Sequence, residues 1–116
     1  MYAHDDTGDQ WGALPDPGQI EIASTAMRML SDPTRMRMMW LLSGTEYDVN
    51  SLAAAVDMAR PAVSQQLAKL KLAGLVSVRR DGRRALYSTR GGHVRRLLTE
   101  ALNAAEHHLY DLPDHD

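Results

Sequence analysis

The sequence predicts a mainly α-helical domain interrupted by a single β-hairpin, and three observations predict it. Apolar residues recur at intervals of three and four along most of the chain. Between Val76 and Tyr87 the interval shortens to two on either side of Asp81-Gly82. Proline or glycine stands where a helix should start or stop. At 116 residues the chain has room for one such domain.

Residues 1–18 are rich in Asp, Gly and Pro without periodicity and read as a flexible tail. From Ile20 onward, Ile22, Ala23, Ala26, Met27 and Leu30 share one face of a first helix. Asp32-Pro33 is an N-cap followed by proline at the first helical position, starting a second helix that runs to about Leu42 and is closed by Gly44. Asp48 or Asn50 caps a short third helix carrying Leu52, Ala53 and Val56. A fourth begins near Arg60-Pro61, buries Val63, Leu67 and Leu70, and stops at Gly74. Val76 and Val78, then Ala85 and Tyr87, alternate with polar residues about Asp81-Gly82. A type I′ turn there needs positive φ at both central residues. Val94, Leu97, Leu98, Ala101, Leu102, Ala105 and Leu109 mark a long last helix ending near Tyr110. The domain is thus expected over residues 19–110, followed by a tail at 111–116 that contains Pro113. Short helices followed by a hairpin are the order of a winged helix-turn-helix.

Composition narrows the function. Cysteine is absent, which removes disulfides, thiolate metal sites and thiol redox chemistry. No apolar run is long enough to span a membrane and no signal-peptide pattern is present, so a cytoplasmic protein without membrane partners is expected. Nothing resembles a nucleophile–base pair or an open catalytic metal site, so an enzyme is not expected. Met27, Met29, Met36, Met38 and Met39 lie within amphipathic patterns and read as core rather than as a copper cluster.

The formal charge of −2 conceals a strong segregation. Between Arg60 and Arg96 there are ten basic side chains and one acid, Asp81, whereas residues 1–59 hold three basic and nine acidic groups and residues 97–116 hold five acids and no base. A concentrated positive window fits a polyanion, because each neutralised duplex phosphate releases condensed counterions. With Val63, Leu67 and Leu70 inward, Arg60, Ser64, Gln65 and Lys69 face out, and Arg, Ser and Gln can read base edges while Lys69 suits a phosphate. Arg79, Arg80, Arg83 and Arg84 crowd the hairpin tip and suit backbone or minor-groove contact. One of Gln65 and Gln66 reads as a plain exposed residue, and Arg35 and Arg37 as partners in internal ion pairs.

The stretches Leu30-Ser31-Asp32-Pro33-Thr34-Arg35, Val63-Ser64-Gln65-Gln66-Leu67-Ala68-Lys69-Leu70 and Ala73-Gly74-Leu75-Val76 resemble the ArsR/SmtB family of metal-responsive bacterial repressors, from about Ile20 to His108. The resemblance implies four helices, a hairpin and a fifth helix, in a homodimer held by the first and last helices. It also implies binding to duplex operator DNA, an inverted repeat for a two-fold dimer, and release when an inducer binds.

The histidines are His4, His93, His107, His108 and His115. On one helix His93 and His107 share nearly one face but stand about 21 Å apart. They meet only if two such helices pack antiparallel across a dyad, which gives two equivalent sites per dimer. The zinc-sensing members carry an Asp-x-His followed by further ligands at eleven and fourteen positions; here position 91 is glycine and position 104 alanine. The pattern His93, Glu106-His107 and His115 is instead similar to the nickel- and cobalt-sensing branch of the family. That branch nominates His93, Glu106, His107 and His115, and places its second tail ligand at Asp116. Helix geometry alone sets Glu106 about 140° round from His93, so His108 is the alternative. His4 joins the candidates because loss of Met1 would expose Tyr2-Ala3-His4, similar to a square-planar nickel motif, although the bulky Tyr2 disfavours that loss. Imidazole and carboxylate without thiolate suit Ni(II), Co(II) or Zn(II). Four ligands favour tetrahedral zinc, and tail ligands would raise the count towards an octahedral Ni(II) or Co(II) site. The expected function is a repressor released by Ni(II) or Co(II). A regulator of the same fold sensing Zn(II) or no metal is the alternative, and a metal-buffering or protein-interaction module is the alternative from another class.

Overall fold

The computed structural model describes residues 12–110. Helix α1 spans Pro17–Leu30, α2 Pro33–Gly44, α3 Val49–Val56 and α4 Arg60–Leu72. Strands β1, Val76–Asp81, and β2, Arg84–Thr89, form an antiparallel hairpin, and α5 spans His93–Tyr110. This is the expected winged helix-turn-helix order. His4, His115 and Asp116 lie outside the described residues.

Three helix starts use an aspartate. Asp16 accepts from the Gly18 and Gln19 N–H groups at 3.0 and 3.3 Å, with Pro17 next in line, so α1 begins ahead of the apolar periodicity at Ile20. Asp32 accepts from the Arg35 N–H at 3.0 Å and Asp48 from the Ser51 N–H at 2.8 Å. Asp48 rather than Asn50 is therefore the cap of α3. The turn into α4 is made by Asp57 in the left-handed region, φ 57°, with the Met58 N–H bonded back to the Ala53 carbonyl at 3.0 Å.

The hairpin forms, but its turn is shifted by one residue from expectation. Asp81 pairs with Arg84, so the central residues are Gly82 and Arg83, and of the two only Gly82 has positive φ, 64°. Glycine first at the turn centre is the requirement of a II′ turn, which spares Arg83 the left-handed region that a I′ turn demands. Arg83 is thereby placed at the tip and Arg84 in the ladder.

Met38, Met39 and Leu42 of α2 are buried at the centre, packed with Leu52 and Ala53 of α3, Val63, Leu67 and Leu70 of α4, Val76, and Val94 and Leu98 of α5. Each fully buried Leu, Val or Met contributes about 1.5–3 kcal/mol relative to exposure. Helix α2 packs against α1, α3, α5 and β2, and so connects α5 to the wing. Met29 and Met36 pack against this core, but Met27 is 58% exposed, against the expectation of core packing. Ile22, 75% exposed, and Leu109, 74%, leave the apolar faces of α1 and α5 largely uncovered.

Candidate nucleic-acid interface

Helix α4 presents the residues that sequence patterning assigned to its outer face. Val63, Leu67 and Leu70 are buried, whereas Ser64, Gln65 and Lys69 are exposed on the rest of the helix and Arg60 is exposed at its first position. The two glutamines divide cleanly. Gln66 is half-buried, and its Oε1 accepts from Arg35 Nη1 at 3.1 Å; Gln65 is free to face outward. Arg35 also donates from Nε to the Met29 carbonyl at 2.6 Å. Arg35 was expected in an ion pair; among the described residues it instead ties α1, α2 and α4 together through neutral acceptors. Arg37 is exposed and likewise has no ion pair among them. Asp16, Asp32 and Asp48 are taken up as helix caps, and Glu46 faces the wing.

The wing is anchored by the loop between α2 and α3. Tyr47 exchanges two backbone hydrogen bonds with Tyr87, at 3.0 and 2.8 Å, and so acts as a one-residue third strand. Its neighbours Glu46 and Asp48 then reach the hairpin face that carries Arg79 and Arg84, which share a side through the Arg79–Leu86 pairing. Arg79 binds Glu46 with both Nε and Nη2, at 2.7 and 2.8 Å. That fork holds the Glu46 carboxyl below its usual value and raises the Arg79 guanidinium. Arg84 Nε lies 3.7 Å from Asp48, whose carboxyl is lowered chiefly by the Ser51 backbone N–H. Arg80 and Arg83 are exposed and form no ion pair with a described residue. Among the four wing arginines, Arg79 is thus braced by a bidentate fork, Arg84 stands only loosely beside Asp48, and Arg80 and Arg83 reach outward.

Glu46, and the wing-facing role of Asp48, are what sequence reasoning missed. An acid on each side of a tyrosine carries no signal of its own, because the partners are more than thirty residues away in the chain.

The first turn of α5 is pinned to α2. Arg95 lies over the Trp40 ring, 5.4 Å from its centroid, and donates to the Ser43 carbonyl at 3.2 Å. Arg96 Nη2 donates to His93 Nδ1 at 2.9 Å, since a guanidinium has no acceptor. A metal ion at Nδ1 would have to displace Arg96. Glu106 and His108 are exposed and His107 is half-buried near the other end of α5. Among the described residues no three His, Asp or Glu side chains converge as a metal site. Among the described residues of one protomer, His93 and His107 stand near opposite ends of α5 and do not meet.

Residues 32–78 match the model of the bacterial regulatory protein arsR family, which covers α2, α3, α4 and the start of the first wing strand. The chain is also 43% identical over 115 residues to the HTH-type transcriptional regulator KmtR of Mycobacterium tuberculosis, covering 99% of this chain and 85% of that protein. This chain belongs to the ArsR/SmtB family. As an ArsR/SmtB protein it is a DNA-binding transcriptional regulator and not an enzyme. NmtR, an HTH-type transcriptional regulator of the same organism, is 38% identical over 94 residues, or 81% of this chain and 78% of NmtR. The ArsR/SmtB fold is matched in three dimensions by the homodimeric winged helix-turn-helix DNA-binding domain of a Mycobacterium bovis protein. The TM-score is 0.75 at 28% identity, covering 90% of this chain and 98% of the other. No helix among the described residues is long and apolar enough to cross a membrane.

Proposed function

We propose that this ArsR/SmtB protein is a homodimeric repressor that binds an inverted-repeat operator and is released by Ni(II) or Co(II). The observation that carries the reading is the joint exposure of two surfaces on one rigid core. One is the α4 face with the wing tip; the other is a largely uncovered apolar α5 that bears His93 at its start and Glu106-His107 near its end.

Homodimerisation is supported by the uncovered faces of α1 and α5, since apolar stripes of this kind mark interaction surfaces. Two-fold symmetry then places two α4 helices for successive major grooves, about 34 Å apart. Arg60, Ser64 and Gln65 read bases, Lys69 contacts phosphate, and Arg80, Arg83 and Arg84 follow the backbone beside the groove. Arg79 serves through its fork to Glu46, by setting the wing's direction.

The metal reading is supported by donor chemistry. His93, Glu106, His107 and His115, with His108, Asp116 or His4 as further donors, form an imidazole–carboxylate set suited to a borderline divalent ion. Zn(II) shares this chemistry, so the number of ligands recruited decides between zinc and the two larger-coordination ions. The separation of His93 from His107 along α5 requires the ligands to come from both protomers. The ion would act through a coupling free energy between the α5 pair and DNA, of about 1–3 kcal/mol in typical allosteric proteins. The pinned first turn of α5, through Arg95 to Trp40 and Ser43, ties movement of this helix to α2 and hence to the wing loop.

Sedimentation and anisotropy on promoter fragments test the DNA half of the reading. A two-chain species binding one duplex is expected, with Gln65→Ala relaxing sequence preference and Lys69→Ala weakening all duplexes alike. A monomer that binds every duplex equally would overturn it.

A further inference from the structure

Between the wing and the start of α4 lies a cavity of about 240 Å³. Arg60 from α4 and Arg80, Arg83 and Arg84 from the hairpin line it, together with Asp48 and Asn50 at the start of α3. Four guanidiniums around one space repel one another unless an anion lies among them. Asp48 is the only carboxylate in the lining, and it is poorly placed to serve. One of its oxygens is taken by the Ser51 N–H at 2.8 Å, and the other stands 3.7 Å from Arg84, beyond hydrogen-bond range. Arg79 shows what internal neutralisation looks like in this wing: a bidentate fork at 2.7 and 2.8 Å. The cavity arginines have nothing equivalent.

We propose that this cavity seats one backbone phosphate of the operator, gripped jointly by Arg60 of the reading helix and Arg83 and Arg84 of the wing, with Asp48 as a resident carboxylate that keeps Arg84 close until the phosphate arrives. The proposal rests on the DNA-binding reading above. Guanidinium forks match phosphate oxygens in pairs, so a phosphate here draws on donors from two elements at once. The seat thereby fixes the angle between reading helix and wing on the duplex, which is how phosphate contacts set register without carrying sequence. Asp48 opposes the incoming charge, so its neutralisation tightens binding rather than weakening it. Asn is a good N-cap, and Asp48→Asn therefore removes the charge while α3 keeps its start.

The test uses the full chain and operator duplexes carrying a single neutral methylphosphonate, scanned along one strand at several salt concentrations. One position per half-site is expected to cost the native protein about tenfold in affinity, the effect of one charge-assisted contact. The same substitution should lower the slope of log K against log salt by about 0.9. In Arg60→Ala/Arg83→Ala/Arg84→Ala that position should no longer matter, while methylphosphonates elsewhere keep their effect. Asp48→Asn, which leaves all four arginines in place, should bind the intact operator several-fold more tightly. The proposal is overturned if the position stays equally costly in the arginine variant, or if Asp48→Asn binds no more tightly than the native chain. Saturable binding of inorganic phosphate at these arginines, without any coupling to a methylphosphonate position, would assign the cavity to a free oxyanion and also overturn it. Absence of salt-dependent operator binding by the native protein is a different result, which refutes the DNA-binding reading itself.

Discussion

Replacing the Arg79–Glu46 ion pair by a neutral pair, Arg79→Gln/Glu46→Gln, should leave the salt dependence of operator binding unchanged, whereas Arg83→Gln should lower it. Both arginines belong to the same hairpin and both are exposed. They differ in that Arg79 spends its fork on Glu46 at 2.7 and 2.8 Å, while Arg83 at the turn has no ion-pair partner among the described residues. Each phosphate neutralised contributes about 0.9 to the slope of log K against log salt, so losing Arg83 from both protomers removes about 1.8. Between roughly 50 and 200 mM salt, that slope difference amounts to about a 12-fold change in relative affinity. The double substitution removes a charge of each sign and no phosphate contact, and its slope should match the native value. Fluorescence anisotropy with labelled operator across that salt range reads both numbers. A double variant whose slope falls as far as that of Arg83→Gln would show Arg79 to be a phosphate ligand and would refute the division of the wing into braced and reaching arginines.

Other consequences concern stability. Leu67→Ala empties a site at the centre of the core, where the side chain is 1% exposed, and should cost about 2–5 kcal/mol in urea unfolding. Asp57 sits at φ 57° and carries a negative charge at the C-terminal end of α3, so Asp57→Gly should stabilise the fold by about 0.5–1 kcal/mol on thermal melting. Glu46 and Asp48 both have folded values below the ordinary carboxylate value. Their stabilising contribution is therefore complete above the range where unfolded carboxylates titrate, and is lost as pH falls through the lowered folded values. A melting profile against pH should accordingly show a shallower acid limb in Arg79→Gln/Glu46→Gln than in the native chain.

Much of the fold was legible because its signals are local. Asp32-Pro33, Arg60-Pro61 and Gly74 mark helix ends by chemistry confined to a few residues, and the shift of periodicity from three-and-four to two marks the wing. Asp16-Pro17 carries the same capping signal as Asp32-Pro33, yet the apolar face begins only at Ile20, so the start of α1 is masked by its own polar first turn. The turn register was not legible, because Asp81-Gly82 and Gly82-Arg83 both offer glycine to a two-residue turn and only the ladder decides between them. Periodicity also cannot tell a face that fills the core from one that awaits a partner, which is why Met27 reads as buried and stands exposed. The outer face of α4 followed directly from its buried one. The braces at Glu46 and Asp48 did not, since they depend on Tyr47 joining the sheet through its backbone.

The most direct test of metal-responsive repression is the operator affinity of the native protein titrated with Ni(II), Co(II) and Zn(II), beside a His93→Ala/His107→Ala variant. Ni(II) or Co(II) should weaken operator binding by about 5–150-fold, the range of a typical allosteric coupling. The variant should bind the operator as tightly as the metal-free native protein and ignore every ion. An affinity that no ion changes, or a response that survives the loss of both histidines, would contradict the account.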